Sequence, residues 1–197
     1  MKSILKSLGV NSRNGKGRSI LPVLGVTALV LWGVALWSTV GFSLSSLVIS
    51  FTYIPRYLYG ILIGLILGDG FISLSQGRKN AHLRFLQGVI NSGFFWHVYS
   101  LFSHYSQSLP TVNISKRRGK LHSALVFWTR SYPFLTDLYY LFYVSGRKRI
   151  PWCISELLTP EGLAMWAMSD GCKAKGGFYL STNYFHYEEV QLLCNLP

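Results

Sequence analysis

The chain has 197 residues, which is enough for one domain of ordinary size or for a modest domain with an appended segment. Its 19 lysines and arginines outnumber 7 acidic residues and give a net charge of +12, which favours a polyanionic partner, either nucleic acid or a membrane surface. The three cysteines, Cys153, Cys172 and Cys194, form no CxxC pair and argue against a disulfide framework or a zinc knuckle.

Residues 1–56 form a leader with a basic beginning and an apolar body. No charged residue lies between Arg18 and Arg56, and the stretch from Ile20 to Phe51 exceeds the roughly 20 residues that a helix needs to cross a bilayer. This stretch could therefore form a transmembrane helix. A targeting presequence is disfavoured, because presequences are amphipathic rather than uniformly apolar.

The first element after the leader is a short apolar helix, predicted from Tyr59 to Gly70 and ending in Asp-Gly. Gly64 and Gly68 stand four residues apart and therefore share one face of this helix. Small residues at that spacing let two helix backbones approach closely. A plain buried core helix is the alternative, and this segment alone does not decide between them.

Two hairpins and two further helices are predicted between this helix and residue 144. Leu83 and Phe85 alternate with His82 and Arg84, which is typical of a half-buried strand. The expected elements are strands at 71–75 and 81–88 around a turn at 76–80, a helix at 92–106, strands at 111–115 and 121–130 around a basic turn at 116–120, and a helix at 133–144. The order is helix, two strands, helix, two strands, helix.

A second helix that ends in Asp-Gly is predicted from Thr159 to Gly171. Thr159 suits the N-cap, Pro160 suits the first helical position, and Glu161 favours the positive end of the helix dipole. The shared ending indicates a duplicated unit. Met165 and Ser169 stand where Gly64 and Gly68 stand in the first helix. The repeat continues with a strand pair around Phe178–Asn183 and a helix that starts at Tyr187–Leu193.

The two endings lie in the motifs LIGLILGDG (62–70) and LAMWAMSDG (163–171). Together with NAHLRFLQG, the basic turn KRRGK and the phrase GRKRIPWCISELLTPEG, they resemble the double-motif LAGLIDADG homing endonucleases of organelles over nearly all of residues 57–197. The resemblance implies an α+β fold in which the motif helices pack side by side. Residues 57–158 would form the first unit, and 159–197 a partial second unit without room for its second hairpin and closing helix.

Metal-dependent hydrolysis of DNA is the activity that the resemblance implies. The carboxylates of Asp69 and Asp170 would meet at the helix ends, where two like charges about 4 Å apart repel by about 4 kcal/mol at an effective dielectric constant near 20. Binding of Mg²⁺ would relieve this repulsion, with Gly68 and Ser169 offering carbonyl ligands.

Two further site residues follow from the motif alignment. Gln87 matches a polar position that orders solvent in this family, and Lys148 is a candidate charge stabiliser. The alternative is that Gln87 is a solvated strand end and Lys148 a surface charge.

The DNA would lie on the sheets, because a two-stranded ribbon fits the major groove. A charge run is otherwise only a solvated face. The expected DNA contacts are Arg78, Lys79, His82, Arg84, Lys116, Arg117, Arg118, Lys120, Arg130, Lys173 and Lys175.

Four hypotheses stay open at this level. The chain is expected to be a site-specific double-strand DNA endonuclease that spreads its own intron. The alternatives are a maturase that binds the host intron RNA, an inactive truncated fragment, and a membrane protein in which the leader is functional. Its expected location is the mitochondrion or otherwise the chloroplast, and a complete chain should be a monomer. The leader would be an exon-derived extension rather than a membrane anchor.

Overall fold

The computed structural model describes residues 43–117 and 119–196. The transmembrane helix predicted as possible at 20–51 lies outside these residues up to position 42. Its described end contains the six-residue helix α1 (Ser46–Phe51). No helix in 43–117 or 119–196 is long and apolar enough to span a bilayer.

The order of elements predicted for the first unit is confirmed. The helices are α2 (Arg56–Leu67), α3 (Ser92–Phe102) and α4 (Pro133–Phe142). The strands are β1 (Gly70–Ser73), β2 (His82–Gly88), β3 (Thr111–Arg117) and β4 (Lys120–Trp128), followed by the short pair β5 (Tyr143–Val144) and β6 (Arg147–Lys148). The four longer strands form an antiparallel sheet in the order β1-β2-β4-β3.

The turn between β3 and β4 is shorter than predicted. Arg117 pairs with Lys120, so that the strands run through most of the segment expected as a basic turn. Gly119 has a φ of +78°, in the left-handed region that glycine adopts without strain. Lys116 and Lys120 therefore lie on opposite faces of the sheet.

The sheet has an apolar face and a polar face. Ile72, Leu83, Phe85 and Phe127 are buried on the apolar face, which packs on the helices. Cross-strand partners share a face, and Arg84 lies opposite Trp128 on the other side. We call that side the polar face. Polar residues on this face by register include Ser73, His82, Arg84, Thr111, Asn113, Ser115, Lys120 and His122.

The two motif helices pack against each other at close range. The second one is α6 (Pro160–Asp170), and Thr159 caps it by accepting a hydrogen bond from the Gly162 amide at 3.2 Å, as predicted. A Cβ added to Gly64 would lie only 1.8 Å from the Gly162 carbonyl oxygen. The Gly64 backbone therefore packs directly against that of Gly162, whereas Met165, the motif equivalent of Gly64, is buried in the core.

The second unit contains a hairpin and a helix. A short helix, α5 (Ile154–Leu157), precedes α6, and the strands β7 (Gly171–Ala174) and β8 (Gly177–Leu180) follow it, before α7 (Tyr187–Cys194). The predicted strand pair around 178–183 was wrong in position, because β7 begins directly after Asp170, just as β1 begins directly after Asp69. The helix start at residue 187 is confirmed.

Candidate active site

A cavity of about 340 Å³ opens where the two motif helices end. The ends of these helices place both motif aspartates on its wall, because the chain leaves each helix there to begin a strand. Arg147 and Lys148, from the short strand β6, are the other charged residues of the lining. The loop after β8 contributes Ser181, Tyr184 and Phe185.

Asp69 lies in a turn, since α2 ends at Leu67 and not at Gly70 as predicted. The side-chain amide of Gln87 donates a hydrogen bond to Asp69 Oδ2 at 2.6 Å. Burial raises the pKa of the Asp69 carboxyl, and the negative charge of Asp170 raises it further, while Gln87 and Lys148 act in the opposite direction. The two aspartates are thus close enough for one charge to affect the other.

Asp170 is the last residue of α6. Burial raises the pKa of its carboxyl, and the ammonium of Lys148 partly offsets this shift. Both carboxyls therefore resist ionisation in the free protein. A cation between them would favour the ionised form of each.

Lys148 holds the first Asp-Gly turn. Its ammonium donates hydrogen bonds to the carbonyl oxygens of Gly68 at 3.0 Å and Gly70 at 3.1 Å. Burial lowers the pKa of Lys148 to about 8, although both aspartates favour its charged form. The Gly68 carbonyl, expected as a metal ligand, thus already accepts from an ammonium. The hydroxyl of Ser169 donates to the Trp166 carbonyl at 3.1 Å within α6.

The donor set fits a hard divalent cation that keeps much of its water. Two carboxylates whose ionisation is disfavoured by burial face one cavity, and carboxylate oxygens are ligands that Mg²⁺ prefers. No group of three or more acidic, histidine or cysteine side chains suited to a metal occurs in the part of the chain that the structure describes. The remaining ligands would be water and phosphate oxygens, as is usual for Mg²⁺.

The predicted DNA contacts fall in several places. Arg78 and Lys79 are exposed in the loop between β1 and β2, and Arg78 and His82 line an open polar depression at the end of the sheet. Burial, and then the charge of Arg78, lower the pKa of His82. Lys173 and Lys175 are exposed on the β7–β8 hairpin.

The β3–β4 hairpin separates its two exposed lysines. Lys120 belongs to the polar face with Arg84, whereas Lys116 pairs with Leu121 and belongs to the apolar side. Arg117 pairs with Lys120 at the end of β3, and Arg118 lies outside the described residues. Lys120 is therefore the lysine of this tip that lies on the polar face.

The burial of Arg130 contradicts the prediction that it contacts DNA. It is only 5% exposed, and its guanidinium donates a hydrogen bond to the Ser106 carbonyl oxygen at 2.6 Å. The strand β4 ends at Trp128, and the chain then turns inward through a bridge between Ser106 and Thr129. This cation stabilises the fold.

Sequence reasoning missed the contacts that hold α7 to the segment next to Lys148. Glu189 in the first turn of α7 is buried, forms an ion pair with Arg149, and accepts a hydrogen bond from the His186 amide at 2.9 Å. The pair connects α7 to the residue that follows Lys148. The only local signal was the acidic residue in the first turn of a helix.

The chain matches known proteins over most of its length. The family model described as the LAGLIDADG DNA endonuclease family matches residues 59–196. The cytochrome b mRNA maturase bI2 of Saccharomyces cerevisiae is 33% identical over 146 residues, covering 69% of this chain and 34% of the maturase. Its counterpart from Debaryomyces hansenii is 28% identical over 137 residues, covering 68% of this chain and 52% of the maturase.

A solved structure is similar over the same region. The homing endonuclease I-WcaI bound to its DNA recognition sequence has a TM-score of 0.68 and 28% sequence identity to this chain. The similarity covers 74% of this chain and 67% of that one. By contrast, the chain spans only about a third of one maturase and about half of the other.

Proposed function

The chain belongs to the LAGLIDADG DNA endonuclease family, and we propose that it is a site-specific endonuclease that hydrolyses one phosphodiester bond in each strand of a DNA target. The observation that carries this proposal is the presence of Asp69 and Asp170 on one cavity, with Gln87 bonded to the first and Lys148 beside both. A fold that only bound nucleic acid would gain nothing from two carboxyls that repel each other and the phosphates.

The chemistry follows from these groups. The oxygen of a water molecule forms a bond to phosphorus while the bond from phosphorus to the 3′ oxygen breaks, which leaves a 5′ phosphate and a 3′ hydroxyl. Asp69 and Asp170 would hold Mg²⁺, which supplies Lewis-acid polarisation of the phosphate when bound. Gln87 holds the Asp69 carboxylate in one orientation, and the Lys148 ammonium offsets negative charge at the reacting phosphate.

The polar face would receive the DNA. It carries Arg84 and Lys120 beside short hydrogen-bonding side chains, and a two-stranded ribbon fits the major groove. The solved relative was determined with its recognition sequence bound. We infer that the lysines of the β7–β8 hairpin contact the other half of the target.

We place this activity in the mitochondrion, with intron mobility as its outcome. The support is that both curated relatives are maturases of cytochrome b mRNA, a mitochondrial message. A reading frame of this kind would encode a protein that cuts the intronless copy of its own gene.

The test compares aspartate variants of the full chain. Asp69→Asn keeps the shape of the side chain but removes its charge, and we expect it to slow Mg²⁺-dependent cleavage of a plasmid carrying the intronless sequence by about 100-fold or more. Binding of the same DNA should persist. Asp137→Asn, an exposed position on α4, is the matched control and should cut normally. Undiminished cutting by Asp69→Asn would contradict the proposal.

The second candidate function is that of an RNA maturase, which is favoured by the names of the two curated relatives, both cytochrome b mRNA maturases. A maturase needs the fold and its basic surface but not the carboxylates. Splicing of the host intron in cells that carry the double variant Asp69→Asn, Asp170→Asn therefore separates the two functions. Retained splicing assigns the maturase role to this chain, and cleavage by the unaltered protein assigns the nuclease role.

A further inference from the structure

The two halves of the cavity are not chemically equal. Asp69 accepts a hydrogen bond from the Gln87 amide at 2.6 Å, and the Asn91 amide lies 3.5 Å from the Gln87 oxygen, on the far side of that group. Across residues 43–117 and 119–196, no side chain donates a comparable hydrogen bond to Asp170. A side-chain hydrogen bond thus orients the Asp69 carboxylate, and the Asp170 carboxylate has no equivalent among the described residues.

Strand register explains the inequality. Gly70 pairs with Phe85 in the first hairpin, and Gln87 lies two residues beyond Phe85. Gly171 pairs with Leu180 in the second, which makes Thr182 the structural equivalent of Gln87.

A threonine at this position does not replace the amide. Its side chain is shorter than that of glutamine, and the backbone has already left the strand, because the Thr182 carbonyl accepts from the Phe185 amide at 3.0 Å in a turn. The Asp170 half of the cavity is lined instead by the hydroxyl residues Ser181 and Tyr184. The second half therefore lacks a positioned amide.

We propose that the protein cleaves the two DNA strands at unequal rates, so that the strand held on the Asp69 side is cut first and nicked DNA accumulates. The inference rests on the proposed nuclease function and deepens it. Each cut is the same balanced hydrolysis, in which water adds to phosphorus, the 3′ oxygen leaves as a hydroxyl, and the remaining proton passes to solvent.

The expected difference between the two cleavage rates follows from the strength of the hydrogen bond between Gln87 and Asp69. A hydrogen bond to an ionised group is worth roughly a 10- to 100-fold change in an equilibrium or a rate. Gln87 acts through Asp69 and is a positioning residue. Loss of the Gln87 side chain should slow cleavage of one strand, whereas a general structural defect would slow cleavage of both strands equally.

The experiment follows a supercoiled plasmid that carries the intronless sequence, with the full chain and Mg²⁺. Open circles should form at least about tenfold faster than linear DNA, and primer extension should map the nick to one strand. Gln87→Leu should slow that first cut by about tenfold or more and leave the other strand within about twofold. Gln191→Leu, an exposed glutamine on α7, should leave both rates unchanged.

Binding of the same plasmid DNA guards against misfolding, because a folded Gln87→Leu variant should still bind it. Rates within twofold for the two strands of the unaltered protein would overturn the inference, and so would an equal slowing of both strands by Gln87→Leu. Failure to cut either strand would instead overturn the proposed nuclease function, and the inference with it.

A readout that needs neither metal nor DNA tests the same asymmetry. In the free full chain, the side-chain amide resonances of Gln87 in NMR spectra should shift with Asp69→Asn and stay in place with Asp170→Asn. A shift of equal size in both variants would show that the amide serves both carboxylates and would overturn the inference.

Discussion

Arg130 is a cation inside the protein, and its role can be separated from DNA binding. It is almost fully buried and donates to the Ser106 carbonyl. Arg130→Met leaves that carbonyl unpaired, so we expect the free energy of unfolding, measured with urea, to fall by about 2–3 kcal/mol. Lys120→Met, an exposed control, should stay within about 0.5 kcal/mol. If Arg130→Met left the stability unchanged and weakened DNA binding, Arg130 would be a DNA contact after all.

Residues with a local signal could be predicted from sequence, and residues defined by distant contacts could not. Thr159 and Pro160 mark the start of α6 through capping chemistry that involves only their neighbours. Arg130 fell within the strand predicted at 121–130, because no local pattern marks where β4 ends. Lys148 was identified as a charge near the site, but its two bonds to a turn 78–80 residues away depend on tertiary structure.

At the scale of elements, the motif helices depend on the absence of a side chain at Gly64. A Cβ there would lie 1.8 Å from the Gly162 carbonyl oxygen, which is backbone and cannot rotate away. We expect Gly64→Ala to push the helices apart and to lower the free energy of unfolding by about 2–3 kcal/mol. Because both aspartates follow these helices directly, the variant should also lose cleavage.

A matched glycine provides the control for this prediction. Gly93 lies in α3, and a Cβ added there would meet no atom within 4 Å. Gly93→Ala should therefore raise stability by about 0.5 kcal/mol, since alanine favours helices over glycine. Chemical unfolding curves of both variants decide the matter. Equal stability of Gly64→Ala and the unaltered protein would show that the helices do not pack closely.

The elements themselves were predictable because their patterns are local. Alternation identified β2, and the glycine spacing of the first motif allowed close helix packing, with a plain buried core helix as the alternative. Register across a turn was harder, because KRRGK reads as a polar loop while Lys116, Arg117 and Lys120 in fact belong to strands. The second hairpin was misplaced for a related reason, since its first strand, GCKA, shows no alternation.

At the scale of the whole molecule, a net charge of +12 predicts a polyanionic partner without saying where it binds. The resemblance of the two motifs to the LAGLIDADG pattern implied that the motif helices pack side by side. The structure adds which side of the main sheet is available to such a partner. One side is buried against helices, and the polar face is left for a ligand. The loop that carries Tyr184 and Phe185 to the cavity has no sequence signal of this position.

The polar face makes a prediction about DNA affinity that distinguishes two neighbouring lysines. Lys120 lies on this face, and Lys116 lies on the other side of the same hairpin, although both are exposed. Each phosphate contact that is lost should reduce the slope of log affinity against log salt by about 0.9. Lys120→Met should show this loss in a salt titration of DNA binding, and Lys116→Met should keep the slope of the unaltered protein. The reverse result would place the DNA on the opposite side of the sheet, where the exposed apolar side chains Ile114 and Leu121 flank Lys116.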